Sequence, residues 1–187
     1  MAGSTSNIVV TNCEFNMIGH DGTAFISCTN SHVHHNKFAM RTNSAIRFDN
    51  TTGSSAFCNE FWTGLGGAGG VELQHVVTGS LIYNNYFHDI TGASPGYGAV
   101  GYRNQTVSGS GVLVHHNIMD SCTYSTNNMP AGYALTNNLI VSAPILATNY
   151  GTNTGNITSI SGLTKSGSDY ARNTGSVAKI SAKDIIK

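Results

Sequence analysis

Charge is what this chain of 187 residues has least of: 10% of it is Asp, Glu, Lys or Arg, nine acids against nine bases. Without a basic patch there is nothing to drive counterion-release binding, so nucleic acid is excluded as a partner. No apolar run reaches the length of a membrane span, and no charged-then-apolar leader opens the chain. The first six residues, MAGSTS, read as an added leader outside the folded unit. Four cysteines are present without a CxxC pair. Cys13 and Cys58 fall in neighbouring columns of the repeat described below, roughly 10 Å apart at ~4.8 Å per coil, which is too far to bridge. Cys28 and Cys122 fall elsewhere in their coils, so four free thiols are expected, a pattern of the cytosol or of an anaerobic surface.

What the chain does have is self-similarity. Asn36 stands two residues before Phe38, and the same offset pairs Asn59 with Phe61, Asn85 with Phe87, Asn117 with Met119 and Asn138 with Ile140. Cys13 before Phe15 is a weaker first copy, and the anchors follow one another at spacings of 23, 23, 26, 32 and 21 residues. That range of periods signals a solenoid. Three residues before each anchor stands Val10, Val33, Ala56, Ile82, Val114 or Leu135. Each copy therefore reads as a short strand, a sharp bend at the Asn and a second short strand. Asn tolerates the left-handed conformation of such a bend, and its amide can bond to the Asn of the next coil. Stacked identical residues form ladders where parallel strands lie in register.

These N-x-F anchors make residues 7–147 resemble a right-handed parallel β-helix of the pectate-lyase-like superfamily. The resemblance implies an all-β solenoid of about five to seven coils. Residues 148–187 are left for a last irregular coil and a cap or tail. Asn149 to Ser168 suits one poor coil, and Val177 to Lys187 has near-helical apolar spacing that suits a short cap. The first coil lacks its leading strand and no amphipathic helix covers it. The chain therefore reads as a fragment of a longer β-helix, or as one whose exposed N-terminal coil is covered by self-association.

The strand before the loop to each bend can be aligned across coils. Thr23–Cys28 lines up with Ser44–Asp49, Gly70–Gln74 and Ala99–Arg103. Alternation then sends Phe25, Ile46, Val71 and Val100 inward in one stack and Ser27, Phe48, Leu73 and Tyr102 in a second. Ile26, Arg47, Glu72 and Gly101 point outward in one column, with Cys28, Asp49, Gln74 and Arg103 in the next. In so uncharged a chain, the convergence of Arg47, Asp49, Glu72 and Arg103 on one face, flanked by Gln74 and His75, is the candidate catalytic cluster. The bland alternative is a lateral Arg47–Glu72 ion pair worth about 0 to 1 kcal/mol.

Asp49 and Glu72 should have α-carbons about 8 Å apart, which suits a pair of carboxyl groups for inverting glycoside hydrolysis. Elimination is equally drawable, with Arg47 or Arg103 neutralising a uronate carboxylate and His75 removing the adjacent proton. Trp62, Tyr97 and Tyr124, in or beside turn-rich loops, are candidates to stack on sugar rings, and His20-Asp21 and His88-Asp89 stand at coil ends near the groove. His34-His35 and His115-His116 occupy equivalent places three coils apart, roughly 14 Å, so they cannot share a zinc ion and are read as ladder residues. Lys37 falls between Glu14 and Glu60 in another column and relieves like-charge stacking.

Within the superfamily, turns such as YNNYFHDI and VHHNIMDSC look most similar to the disaggregatase group of methanogenic archaea. That resemblance implies cleavage of an acidic cell-surface heteropolysaccharide by a hydrolase or lyase, within a surface or secreted parent protein of an anaerobe. It fits the free thiols. The sequence calls for no cofactor, and leaves open a Ca²⁺ bridging acidic groups. The competing class is a non-catalytic surface, adhesin or phage-tail-like module that binds glycans.

Overall fold

A computed structural model describes residues 5–40, 42–63, 68–91, 98–102, 109–127, 129, 132–141, 145–146, 152–158, 163–166, 169–172 and 180–181. The described chain is all β and winds as a parallel solenoid of about five turns. Each turn contributes one strand to each of three sheets, and every pairing within those sheets is parallel. The first sheet includes Thr23–Ile26, Asn43–Thr52, Ala68–Thr78 and Val100–Tyr102. The second includes Val9–Thr11, His32–His34, Ser55–Phe57, Leu81–Tyr83 and Val112–His115. The third includes Glu14–Ile18, Lys37–Met40, Glu60–Thr63, Tyr86–His88 and Ile118–Asp120. No helix among the described residues is long and apolar enough to cross a membrane.

The asparagine ladder holds the second and third sheets together. The side-chain oxygen of Asn85 accepts the backbone N–H of Asn59 at 3.0 Å and its amide at 3.1 Å. Its own amide donates to the oxygen of Asn117 and to the carbonyl of Ala56. Asn36, Asn117 and Asn138 repeat the scheme, and Asn156 extends it one rung beyond residue 147. The left-handed conformation falls one residue earlier than expected, on Asn12, His35, Cys58, Asn84, His116 and Asn137. The ladder residue keeps ordinary dihedrals because its side chain must turn inward to reach its neighbours. The preceding residue, with its side chain outside, takes the bend.

Below the ladder, Phe15, Phe38, Phe61 and Phe87 stack face to face at centroid separations of 4.6, 5.2 and 4.6 Å. Outside, Lys37 lies in register between Glu14 and Glu60. All four cysteines are free thiols, with Cys28 and Cys122 buried.

Two expectations about the first sheet are corrected. Phe25 lies beside Phe48, with ring centroids 5.7 Å apart, and not beside Ile46. Ala24 therefore neighbours Arg47, and Ile26 neighbours Asp49. The expected alignment of that coil was two residues out of step, a slip that preserves the inside/outside alternation and so leaves no trace in the hydrophobic pattern. Cys28 does not share an outward column with Asp49, since it is buried in the core. The cause is a second left-handed column, Ser27, Asn50 and His75, which runs through the sheet and reverses alternation after it. Val76 then sits as an extra residue in a bulge between Gln74 and Val77.

At the N-terminal end Thr5–Ser6 already pairs with Cys28–Thr29, so the first sheet starts ahead of Asn7. Beyond the solenoid, Ile180–Ser181 pairs antiparallel with Asp169–Arg172 in a small three-stranded sheet, where a helical cap was expected. The remainder of that segment, 177–179 and 182–187, lies outside the described residues.

Candidate functional site

Alternation along Asn43–Thr52 and Ala68–Thr78 buries Ile46, Phe48, Val71 and Leu73 in the core. It thereby sends Arg47, Asp49, Glu72 and Gln74 to the outer face of the first sheet. Arg47 stands in register with Glu72, and Asp49 with Gln74. Arg103 and Tyr97 lie outside the described residues.

The contacts sort these groups into two clusters. In one, Arg47 turns away from Glu72 and pairs with Asp21 across the adjacent coil, Nη1 to Oδ2 at 3.0 Å. Asp21 also accepts from the Asn43 amide at 2.6 Å. The Arg47 side chain is 19% exposed, and its Nε is buried without a hydrogen-bond partner among the described residues. Glu72, 2% exposed, accepts from the Ser44 hydroxyl at 2.5 Å on one oxygen and from Gln74 at 2.6 Å on the other.

In the second cluster His75 Nδ1 lies 2.6 Å from Asp49 Oδ1, which also accepts from the Asn50 amide at 3.1 Å. Asp49 is buried whereas the imidazole is 44% exposed. The left-handed conformation of His75 and Asn50 creates this contact. It halts the strand's alternation at the residue after Gln74 and turns the ring back over Asp49. Arg47 and Asp49 are two residues apart on one strand face, about 7 Å, so the partly exposed guanidinium and the His–Asp pair share a surface.

Sequence reasoning missed Asp21 as the partner of Arg47 and Ser44 as a donor to Glu72. Aligning the coils on Ser27, Asn50 and His75 would have moved Asp21 two residues towards Arg47 but would have named neither partner, since the register of Ser44 against Glu72 was already as expected.

Trp62 and the His88-Asp89 pair belong elsewhere. Trp62 lies in Glu60–Thr63 of the third sheet, in register with His88, and the rings stack at 6.0 Å. His88 bonds Glu60 through Nε2 at 3.3 Å and Asp89 through Nδ1 at 2.9 Å. Burial works against charge on His88, but the hydrogen bonds to Glu60 and Asp89 outweigh it and raise its pKa. The same His88 bond holds Glu60 below the usual carboxylate range against its own burial. Both ring nitrogens are thus engaged by carboxylates, an arrangement that stabilises an imidazolium. The two His-His pairs sit at the bend as ladder residues: His34 stacks on Phe57, and His115 on Tyr83. Among the described residues no group of His, Cys, Asp or Glu is arranged to hold a metal ion.

Comparison with protein-family models, with curated proteins and with solved structures found no match in any of the three.

Proposed function

We propose that the outer face of the first sheet cleaves an acidic polysaccharide by β-elimination, with His75 as general base. The observation that carries this reading is the 2.6 Å contact of His75 Nδ1 with buried Asp49. A carboxylate on Nδ1 orients the imidazole and supports the imidazolium that forms when a proton arrives. Arg47, whose side chain is 19% exposed and held in place by Asp21, would take the uronate carboxylate and stabilise negative charge developing beside it. His75 removes the proton α to that carboxylate, the electron pair forms the carbon–carbon double bond, and the glycosidic C–O bond breaks. Water protonates the leaving oxygen, and His75 returns its proton to the hydroxide so formed.

Glu72, covered and bonded on both oxygens, positions Gln74 and Ser44 rather than serving as a water-activating carboxylate. That favours elimination over the Asp49/Glu72 hydrolytic pair. The disaggregatase-like turns add a cell-surface heteropolysaccharide as the substrate class.

Polygalacturonate, alginate and hyaluronan are the probes. The expected result is ultraviolet absorbance from unsaturated uronate ends on at least one of them, reduced by about 10² or more in His75→Gln. New reducing ends without unsaturation would transfer the reading to hydrolysis. Binding without cleavage would leave a glycan-binding module in its place.

A further inference from the structure

A different surface has the shape of a ligand site. On the outside of the second sheet an open groove of about 350 Å³ runs along the solenoid axis across four rungs. Its floor is the column Val9, His32, Ser55 and Leu81, in register from rung to rung. One wall is the next outward column, where His34, Phe57 and Tyr83 stack at 4.7 and 4.9 Å. Opposite this wall Gly53 and Gly79 occupy the bend in left-handed conformation, and a Cβ on Gly79 would meet nothing within 4 Å. That side is open at Gly79, whereas at Gly53 a Cβ would meet Asn30 Oδ1 at 2.6 Å.

We infer that this groove binds a linear, uncharged oligosaccharide segment lying parallel to the solenoid axis. Each alternative occupant lacks something it needs. Among the described residues the lining contains no acidic side chain, no lysine and no arginine. Burial, with His35 and His32 adding to it, pushes the His34 pKa down, so that wall is uncharged at neutral pH. Anionic and cationic ligands thus find no counter-charge.

A peptide strand would need free backbone groups, and those of the floor are spent between rungs, as in Leu81 N–H to Ser54 C=O at 3.0 Å and Ser55 N–H to Ser31 C=O at 2.8 Å. A purely apolar ligand would have to cover the His32–Ser55 hydrogen bond, 2.7 Å long, at the centre of the floor. Sugars match what remains: exposed apolar patches at both ends, Val9 at 54% and Leu81 at 38%, with imidazole and hydroxyl groups between them. The wall rings spend their faces on one another and present their edges, so recognition is through floor contacts and hydroxyl hydrogen bonds rather than ring-on-sugar stacking.

The site is separate from His75, so its test is run in the His75→Gln protein, where a failure of the elimination reading leaves the result interpretable. Cellohexaose, mannohexaose, chitohexaose and an oligogalacturonate are titrated while the imidazole NMR signals of His32 and His34 are followed. At least one neutral hexasaccharide should shift both signals, with the oligogalacturonate leaving them in place. Leu81→Lys and Val9→Lys, both at exposed positions, should each weaken that binding at least tenfold without changing the melting temperature. Unmoved signals with all three neutral probes, equal response to the oligogalacturonate, or unaltered affinity in both lysine variants would each overturn the assignment.

Discussion

Asn85 shows how much one side chain carries in this fold. It is fully buried, its oxygen takes two hydrogen bonds from Asn59, and its amide serves Ala56 and Asn117. Asn85→Ala strands the Asn59 N–H in the interior and should cost about 3 kcal/mol in urea unfolding, near the top of the range for a buried group left unpaired. Asn85→Asp should rescue little, because it keeps the acceptor but turns a second oxygen towards the Ala56 carbonyl. The histidines give stability a dependence on pH from opposite sides. Burial lowers the pKa of His34 and of His115, with His35 and His116 adding to it. Below 6.5 the unfolded chain takes up protons before the folded one, so stability falls as pH drops from 6.5 through the folded values. His88 has a raised pKa. Its contribution is full below 6.5 and is lost as pH rises through the folded value. Melting temperature against pH should therefore lose part of its acid-side fall in His115→Gln and part of its alkaline-side fall in His88→Gln. Unchanged curves would contradict these environments.

At the scale of the rung, the bends matter more than the strands. Asn84 takes φ 53° with its side chain outside the ladder. Asn84→Gly should leave stability nearly unchanged, whereas Asn84→Val forces a β-branched residue into left-handed space and should cost about 1 to 3 kcal/mol. Equal stabilities would show that the bend is not strained as described. The N-x-F anchors made the parallel stack legible in the sequence because both members have a structural duty: the Asn bonds along the ladder and the Phe stacks beneath it. The left-handed residue was misplaced by one because Asn occurs at both positions, as in Asn84-Asn85 and Asn137-Asn138. The column of Ser27, Asn50 and His75 was not legible. Three unlike residues share a backbone conformation there, and composition gives no sign of it. Missing it misplaced both Phe25 and Cys28.

For the whole molecule, strand pairing among the described residues of the solenoid joins each rung to the next, so the register of one coil on the next decides which side chains meet. The outward placement of Arg47, Asp49, Glu72 and Gln74 was readable from alternation alone, and their register across Asn43–Thr52 and Ala68–Thr78 is as expected. The partners were not readable, because Arg47 reaches back a coil to Asp21 and His75 folds over Asp49 through a bulge. Function in this account depends on the second of those contacts, made between adjacent rungs. A double-mutant cycle in the elimination assay, with Asp49→Asn, His75→Gln and both together on the acidic glycan that serves as substrate, tests it most directly. If the two side chains act as one unit, the double variant should be about as slow as His75→Gln alone. Losses that multiply, or an Asp49→Asn enzyme with full activity, would contradict it.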